Sequence, residues 1–485
     1  MSINPNSPPS HDPVASGLAT IRRLAAPEIA LPLGIFLLAL ALRLAWIGSV
    51  GPSPTDGRFD DSTWYHYSAV SIMEGRGYTL WFRGPPMCRE DTAVGCDEHA
   101  PPTAFWNVGY PLILAALYKV VGPSVLAAKL LNVLLSASTC LLAYVVGARV
   151  FNRRVGLVGA FLLALFPGQV FYSTLVMTEV IAAFLLILLL ALVLTLTIDS
   201  ISWRAIVLIG LLLGAAALVR GEMALLFLPL IAVWAVAHRS VGKALRYGVV
   251  AAAAVALVLL PWTVRNWVRL GYPVALSTGS ADNLLAGHWS GADGLGTFTP
   301  GTEVNLKYAD VPYPEHEVRV YKEETRRAVS YALRHPAREL ELIPKKLFDF
   351  YFYYGDSRSL YLVQVFKPSL GETAENGLRA AADWYYYAVM AAAAFGALLW
   401  FSLRDPKRLL LVSVVLYYSF MFGFVFIGEP RFHNALVPVI ALFAAASLVW
   451  AVQTALDWSR RTSAPVDSPA APGTDNGVSL GTEKG

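Results

Sequence analysis

Two adjacent carboxylates, Asp60 and Asp61, stand in the run FDDSTWY at 59–65, directly after the first long apolar segment and flanked by aromatic residues. A carboxylate there can take a proton from an attacking hydroxyl, help bind a cation, or serve as a solvated turn or helix N-cap. Further ionisable and amide groups fall at the ends of later apolar stretches. They are Glu179 in TEV, Arg220 and Glu222 in LVRGE, Arg265 and Asn266 in PWTVRNW, Asn283 and His288 in NLLAGH, and Arg431 and His433 in EPRFHNALVP. Polar groups in such places are costly unless paired or solvated, so each is a functional candidate. Carboxylates gathered with arginines suit one reaction type, the passage of a sugar from a phosphate leaving group to a hydroxyl. That reaction needs a base for the acceptor's proton and cations for the departing phosphate, but no acid. The planar fork of Arg binds phosphate oxygens in pairs.

The elements that would position these groups are membrane helices. The chain has 485 residues, 56% of them hydrophobic and 15% charged, with a mean hydropathy of +0.52. That is more apolar surface than a soluble domain can bury, so the expectation is an all-α polytopic membrane protein. Nucleic acid is not implied by a net charge of only +4. About 10 spans, and up to about 13, are long enough to cross a bilayer. Their approximate limits are 28–50, 124–150, 156–173, 178–198, 204–219, 222–237, 246–264, 384–403, 409–427 and 432–452.

Arg and Lys in the short loops alternate along the chain, which predicts cytoplasmic termini and places the long polar segments 51–123 and 265–383 on the outer face. The expected organisation has a disordered N-terminus over 1–27, a transmembrane module over 28–264 carrying outer loop 51–123, and an extracytoplasmic segment over 265–383. C-terminal spans over 384–458 and a disordered tail over 459–485 complete it. Within the outer segments, 68–73 reads as an amphipathic helix on the membrane surface, and 109–121 as an interfacial or re-entrant helix. Residues 315–334 repeat apolar positions at helical spacing. Cys88 and Cys96 lie close together in a polar loop and can pair if it faces an oxidising compartment. Arg43 and Lys129, near span ends, read as snorkelling side chains. No internal repeat and no Walker, Rossmann or HExxH signature is evident. Nucleotide sugars are normally confined to the cytoplasm, so a donor reaching the outer face would be lipid-anchored.

Motif order sharpens this. D-D-x-x-x-Y after the first span, then GRGY, PPTAFWNVGYPLILAALY, TEV, LVRGE, PWTVRNW, NLLAGH and EPRFHNALVP together resemble the GT-C superfamily. The chain is most similar to its ArnT-like branch and also to protein O-mannosyltransferases, over about residues 28–452. The resemblance implies an inverting glycosyltransferase with a polyprenyl-phosphate sugar donor and a lipid, glycan or protein hydroxyl acceptor, sited on the outer face of a bacterial inner membrane. It places the catalytic acid of the first loop on Asp61, with Tyr65 as the accompanying tyrosine and Asp60 as a modulator. Glu179 falls at the second-loop acid, and Arg431 matches an arginine near the lipid phosphate.

Around these, Arg265, Arg220 and His433 are candidate donor-phosphate or lipid contacts, and Asn266, Asn283, His288 and Glu222 candidate substrate contacts. Each also has a structural alternative. Arg431 could pair with Glu429, Arg220 with Glu222, Glu179 with a nearby Arg, and Arg265 with Asn266 could merely end a span. No cofactor is certain from the residues, and Asp60, Asp61 and Glu179 could hold a divalent metal. The rival class is a transporter or flippase using the same arginines to bind an anionic or lipid-linked solute. Asn107 and Val108 depart from the paired prolines common in the family, and with the cysteine-bearing excursion they leave the acceptor open.

Overall fold

A chain crossing hydrocarbon must satisfy its backbone internally, and long Leu-, Ala- and Val-rich runs do so as helices. The computed structural model describes residues 27–50, 61–79, 100–294, 300–353, 355–366 and 370–462. Asp60, Cys88 and Cys96 lie outside them. Among the described residues there is no strand, only an isolated bridge between Thr79 and Pro102.

The principal helices are α1 (Pro27–Val50), α2 (Asp61–Met73), α3 (Gly109–Val121), α4 (Val125–Val150), α5 (Arg153–Leu165), α6 (Glu179–Leu196), α7 (Trp203–Val219) and α8 (Phe227–Ala237). They continue as α9 (Val241–Leu270), α10 (Ser280–Gly287), α11 (Glu315–Arg334), α12 (Pro336–Phe352), α13 (Glu372–Trp400), α14 (Pro406–Phe420) and α15 (Val437–Thr462). Several begin where sequence chemistry says they should. The side chains of Ser124, Asn152, Ser202 and Ser240 each accept a hydrogen bond from the backbone N–H three residues on, opening α4, α5, α7 and α9.

By length and composition, six described helices can cross a membrane. A seventh span results if α5 is joined to 167–174, which is bent from it by 58°. α3, α7 and the 221–237 stretch are apolar but shorter. The expected number of spans is about 10, and two of the differences have local causes. Pro167 follows the end of α5, and the apolar run at 222–237 opens as a 3-10 segment (Gly221–Leu225) before α8. α6, α15, α4 and α5 form the interior, α7 packs on α9, and α13 packs on α15.

Two expectations are corrected here. The helix expected on the membrane surface at 68–73 begins at Asp61 and is buried through Ser62, Thr63, Trp64, Tyr65, Ser68, Ala69 and Ser71, because α3 packs over it. Arg43 and Lys129 do not snorkel, since they are 0% and 2% exposed. The Arg43 guanidinium donates to Ser136 Oγ at 2.7 Å and to the carbonyls of Ala39 and Ala164 at 3.0 and 3.2 Å. A buried cation inside a span is tolerable when its donors reach such partners.

Candidate active site

Four chain ends or breaks converge at one end of the bundle and together deliver five charged groups. Asp61 opens α2 and Glu179 opens α6, and both carboxylates suit the positive end of a helix dipole. Arg220 stands where α7 stops, Glu222 lies in the following 3-10 turn, and Arg431 lies in the 3-10 segment Pro430–Leu436 just before α15. All five line one cavity of about 540 Å³. Leu225, Leu259, Met421, Phe422, Val425 and Phe426 make up an apolar part of its wall, while Tyr65, Trp106, Asn107 and Asn283 complete the polar part.

The charges are paired in a definite way. Arg431 donates through Nη1 to Asp61 Oδ2 at 2.6 Å. The alternative partner of Arg431, Glu429, instead meets Arg358 at 3.3 Å. Arg220 donates through Nε to Glu222 Oε1 at 2.7 Å, and its Nη1 lies 3.5 Å from Glu179 Oε1 and 3.4 Å from Thr178 Oγ1. Both guanidinium groups also approach the ring of Phe432, at 4.9 Å for Arg220 and 5.3 Å for Arg431. That aromatic face favours cations at a desolvated site. Burial, and then the Asp61 and Glu179 carboxylates, push the Tyr65 hydroxyl well above its usual pKa, so it stays a neutral donor at the cavity wall.

Three carboxylates against two guanidinium groups leave no surplus cation, so an entering anion must compete for Arg431 or Arg220. Those arginines are nevertheless held in place ahead of it, which is what electrostatic catalysis requires. Of the three carboxylates that could hold a divalent metal, Asp60 lies outside the described residues. Asp61 and Glu179 face guanidinium groups, and among the described residues no group of three His, Cys, Asp or Glu side chains is arranged to hold an ion.

Four candidates do not line the cavity. Arg265 donates to the carbonyls of Thr103 at 2.7 Å and Tyr78 at 2.5 Å, and to Asn266 Oδ1 at 2.9 Å. Asn266 is fully buried and holds the Val274 carbonyl at 2.9 Å. His288 bridges Glu339 at 2.8 Å and the Val425 carbonyl at 2.9 Å. His433 meets the Phe350 carbonyl at 2.7 Å and stacks on Tyr386. These four residues are thus engaged by other protein groups away from the cavity lining, tying loops and helices to one another.

Sequence reasoning passed over Trp106, Thr178 and Phe432 as cavity residues and Glu317 as the residue that supports its wall. Glu317 lies on α11, more than 200 positions from the loop it holds. Its carboxylate accepts from Thr103 Oγ1 and Thr278 Oγ1 at 2.7 Å each and from the Ala104 N–H at 2.9 Å. The same loops exchange backbone bonds, Thr278 N–H to Ala104 O at 2.8 Å and Gly279 N–H to Phe105 O at 2.9 Å. A Cβ on Gly279 would come within 2.6 Å of that Phe105 oxygen, so the closure requires glycine. Arg265 and Glu317 thus clamp the segment that carries Trp106 and Asn107. Glu317→Ala strands a buried N–H and two hydroxyls. It is expected to cost about 1–3 kcal/mol of stability, with Glu317→Gln intermediate. Thermal unfolding of the purified variants checks this, and an alanine variant as stable as the native protein would contradict the clamp.

Residues 100–264, which include Asn107, Glu179, Arg220 and Glu222, match the family model described as dolichyl-phosphate-mannose-protein mannosyltransferase. Among solved structures, the chain is similar to the oligosaccharyltransferase AglB from Archaeoglobus fulgidus. In complex with an inhibitory peptide and a dolichol-phosphate, AglB aligns with a TM-score of 0.51 and 15% identity, covering 90% of this chain and 51% of AglB. Its apo form aligns with a TM-score of 0.51 and 16% identity, covering 90% and 52%. This chain therefore spans about half the length of AglB, and the likeness shows a shared fold. Apo ArnT from Cupriavidus metallidurans aligns at 14% identity over 90% of this chain and 78% of that one, but with a TM-score of 0.36, too low to speak for the fold. Comparison with curated proteins returned no match.

Proposed function

We propose that the protein is a membrane glycosyltransferase that moves a sugar from a lipid-phosphate-linked donor to a hydroxyl acceptor, with inversion at the anomeric carbon. The observation that carries this reading is the Asp61–Arg431 pair at 2.6 Å on a cavity whose wall is otherwise largely apolar. It sets a base and a phosphate-binding fork side by side next to a surface that a polyprenyl chain can occupy.

The donor phosphate engages Arg431 and draws it from Asp61. Asp61 then accepts the proton of the acceptor hydroxyl as the oxygen attacks the anomeric carbon. The bond from that carbon to the phosphate oxygen breaks on the opposite face, and the phosphate takes the bonding electron pair, changing from a singly charged diester to a doubly charged monoester that the arginines stabilise. Charge building on the ring as the bond loosens resembles that in glycosidase transition states. Arg220, steadied by Glu222 and Glu179, adds positive potential to the leaving side.

The GT-C fold and the match over 100–264 support the reaction class. The name of the matched model favours a protein hydroxyl as acceptor, beside the lipid or glycan acceptor of a cell envelope. The alternation of basic loops favours cytoplasmic termini and an outer-face site in a bacterial inner membrane. The transporter reading is less well supported, because the charged cavity groups gather at one end of the bundle and Arg43, within a span, is occupied by Ser136 and backbone carbonyls.

Purified protein in liposomes, supplied with radiolabelled polyprenyl-phosphate sugars and candidate lipid, glycan and peptide acceptors, tests the reading. Sugar should appear on one acceptor class with release of polyprenyl phosphate. Movement of intact donor across the bilayer without any transfer would favour the transporter instead.

A further inference from the structure

Two hydrogen-bond acceptors on the cavity have no partner among the described residues. Glu179 is 2% exposed. Its Oε1 faces Arg220, while its Oε2 is buried without a hydrogen bond. Asn107 Oδ1 is likewise buried and unmatched. The two residues lie on either side of the same chain break, because Arg220 faces Glu179 and Asn107 stands 4.0 Å from the Cβ position of the next residue, Gly221. Both line the cavity, and so does Trp106, the residue before Asn107. Buried acceptors of this kind are costly unless a ligand or water supplies donors.

The surroundings narrow what those donors can be. An ammonium group at Glu179 would sit against Arg220, whose like charge is already present and repels it. Hydroxyl groups suit both acceptors and can in turn accept from the Asn107 amide. A ring with hydroxyls on its edge and C–H bonds on its face also suits an indole neighbour. We propose that Asn107 Oδ1 and Glu179 Oε2 bind free hydroxyls of an uncharged carbohydrate ring that packs on Trp106, which makes Asn107 a specificity-determining residue. This deepens the glycosyltransferase reading and rests on it for the statement that the ring belongs to a substrate, either the transferred sugar or a glycan acceptor.

Native mass spectrometry on full-length protein in nanodiscs separates the possibilities. The probes are bare polyprenyl phosphate, polyprenyl phosphates bearing mannose, glucose or galactose, and the free methyl glycosides of those sugars. Native protein should bind at least one of these sugars, lipid-linked or free, about 10-fold more tightly than an epimer in which the recognised hydroxyl points the other way, as expected for a satisfied buried hydrogen bond. Asn107→Leu, similar in size but without an acceptor, should erase that margin and leave the affinity for bare polyprenyl phosphate unchanged. Loss of the margin on lipid-linked sugars assigns the subsite to the donor, and loss only on free glycosides assigns it to the acceptor. If no margin changes, or if bare-lipid affinity falls equally, the subsite is wrong. Absence of any polyprenyl-phosphate binding by native protein sinks the donor reading instead, while the free-glycoside arm still reports on Asn107.

Discussion

Asp61→Asn is expected to lower sugar transfer by about 100- to 10,000-fold, the range for losing a positioned proton acceptor. Asparagine keeps the shape of the side chain and an oxygen that can accept from Arg431 Nη1, so the 2.6 Å contact has a neutral substitute and the local fold should hold. It cannot take the acceptor's proton. Arg431 also loses its counter-charge, so affinity for the anionic lipid donor should be equal to or greater than that of the native protein. Single-turnover transfer in liposomes, measured beside equilibrium binding of polyprenyl phosphate, separates the two effects. An asparagine variant with normal turnover removes Asp61 from the base role, and one that loses donor binding together with turnover shows that the pair is structural.

Arg431→Gln should be nearly as damaging, with transfer reduced by about 100- to 1,000-fold, as for removal of a donor that stabilises transition-state charge. Here the donor KM should rise as well, because the guanidinium meets the phosphate before and during the reaction. The side chain uses Nη1 on Asp61, while its buried Nε has no partner among the described residues, so part of the fork remains for a phosphate. Arg431→Lys keeps the charge but lacks the planar fork, and should recover only part of the loss. Since Asp61 and Arg431 touch, the double variant should fall well short of the product of the single losses. Full activity in the lysine variant, or strict additivity in the pair, would count against a shared role.

Local signals carried much of the architecture. Apolar runs located α1, α4 and α6 closely, because helix formation in hydrocarbon depends on the composition of the segment itself. α9 (Val241–Leu270) and α15 (Val437–Thr462) were found with displaced ends. The charged interruptions around Arg220 to Glu222 and Glu429 to Arg431 were visible between apolar runs, and they fall at the 3-10 segments that bring Arg220, Glu222 and Arg431 to the cavity. The 58° bend after Leu165 was not legible, because it interrupts a run that hydropathy reads as continuous over 156–173.

Residue chemistry marked Asp61, Glu179, Arg220, Glu222 and Arg431 before any geometry was known, since charged side chains beside long apolar runs are conspicuous. The same signal marked Arg265, Asn266, His288 and His433, which hold loops and helices in place instead. Composition cannot separate these groups, because a cation that meets a phosphate and one that meets a backbone carbonyl cost the same in sequence. Trp106 and Glu317 gave no comparable signal, as one lies in an aromatic-rich loop and the other on a helix crowded with charges.

The sequence by itself determined that the chain is a helical membrane protein, that its polar chemistry gathers in a few motifs, and that carboxylates and arginines are the reagents. Those properties follow from hydrophobicity and side-chain type, which are local. Only the tertiary structure decided that Asp61 faces Arg431 across 370 positions of chain, that Arg220 is shared between Glu179 and Glu222, and that Glu317 supports the wall bearing Asn107. Pairing between distant segments is settled by packing and by the cost of leaving a buried charge or acceptor unmatched, and neither is written in any one stretch of residues.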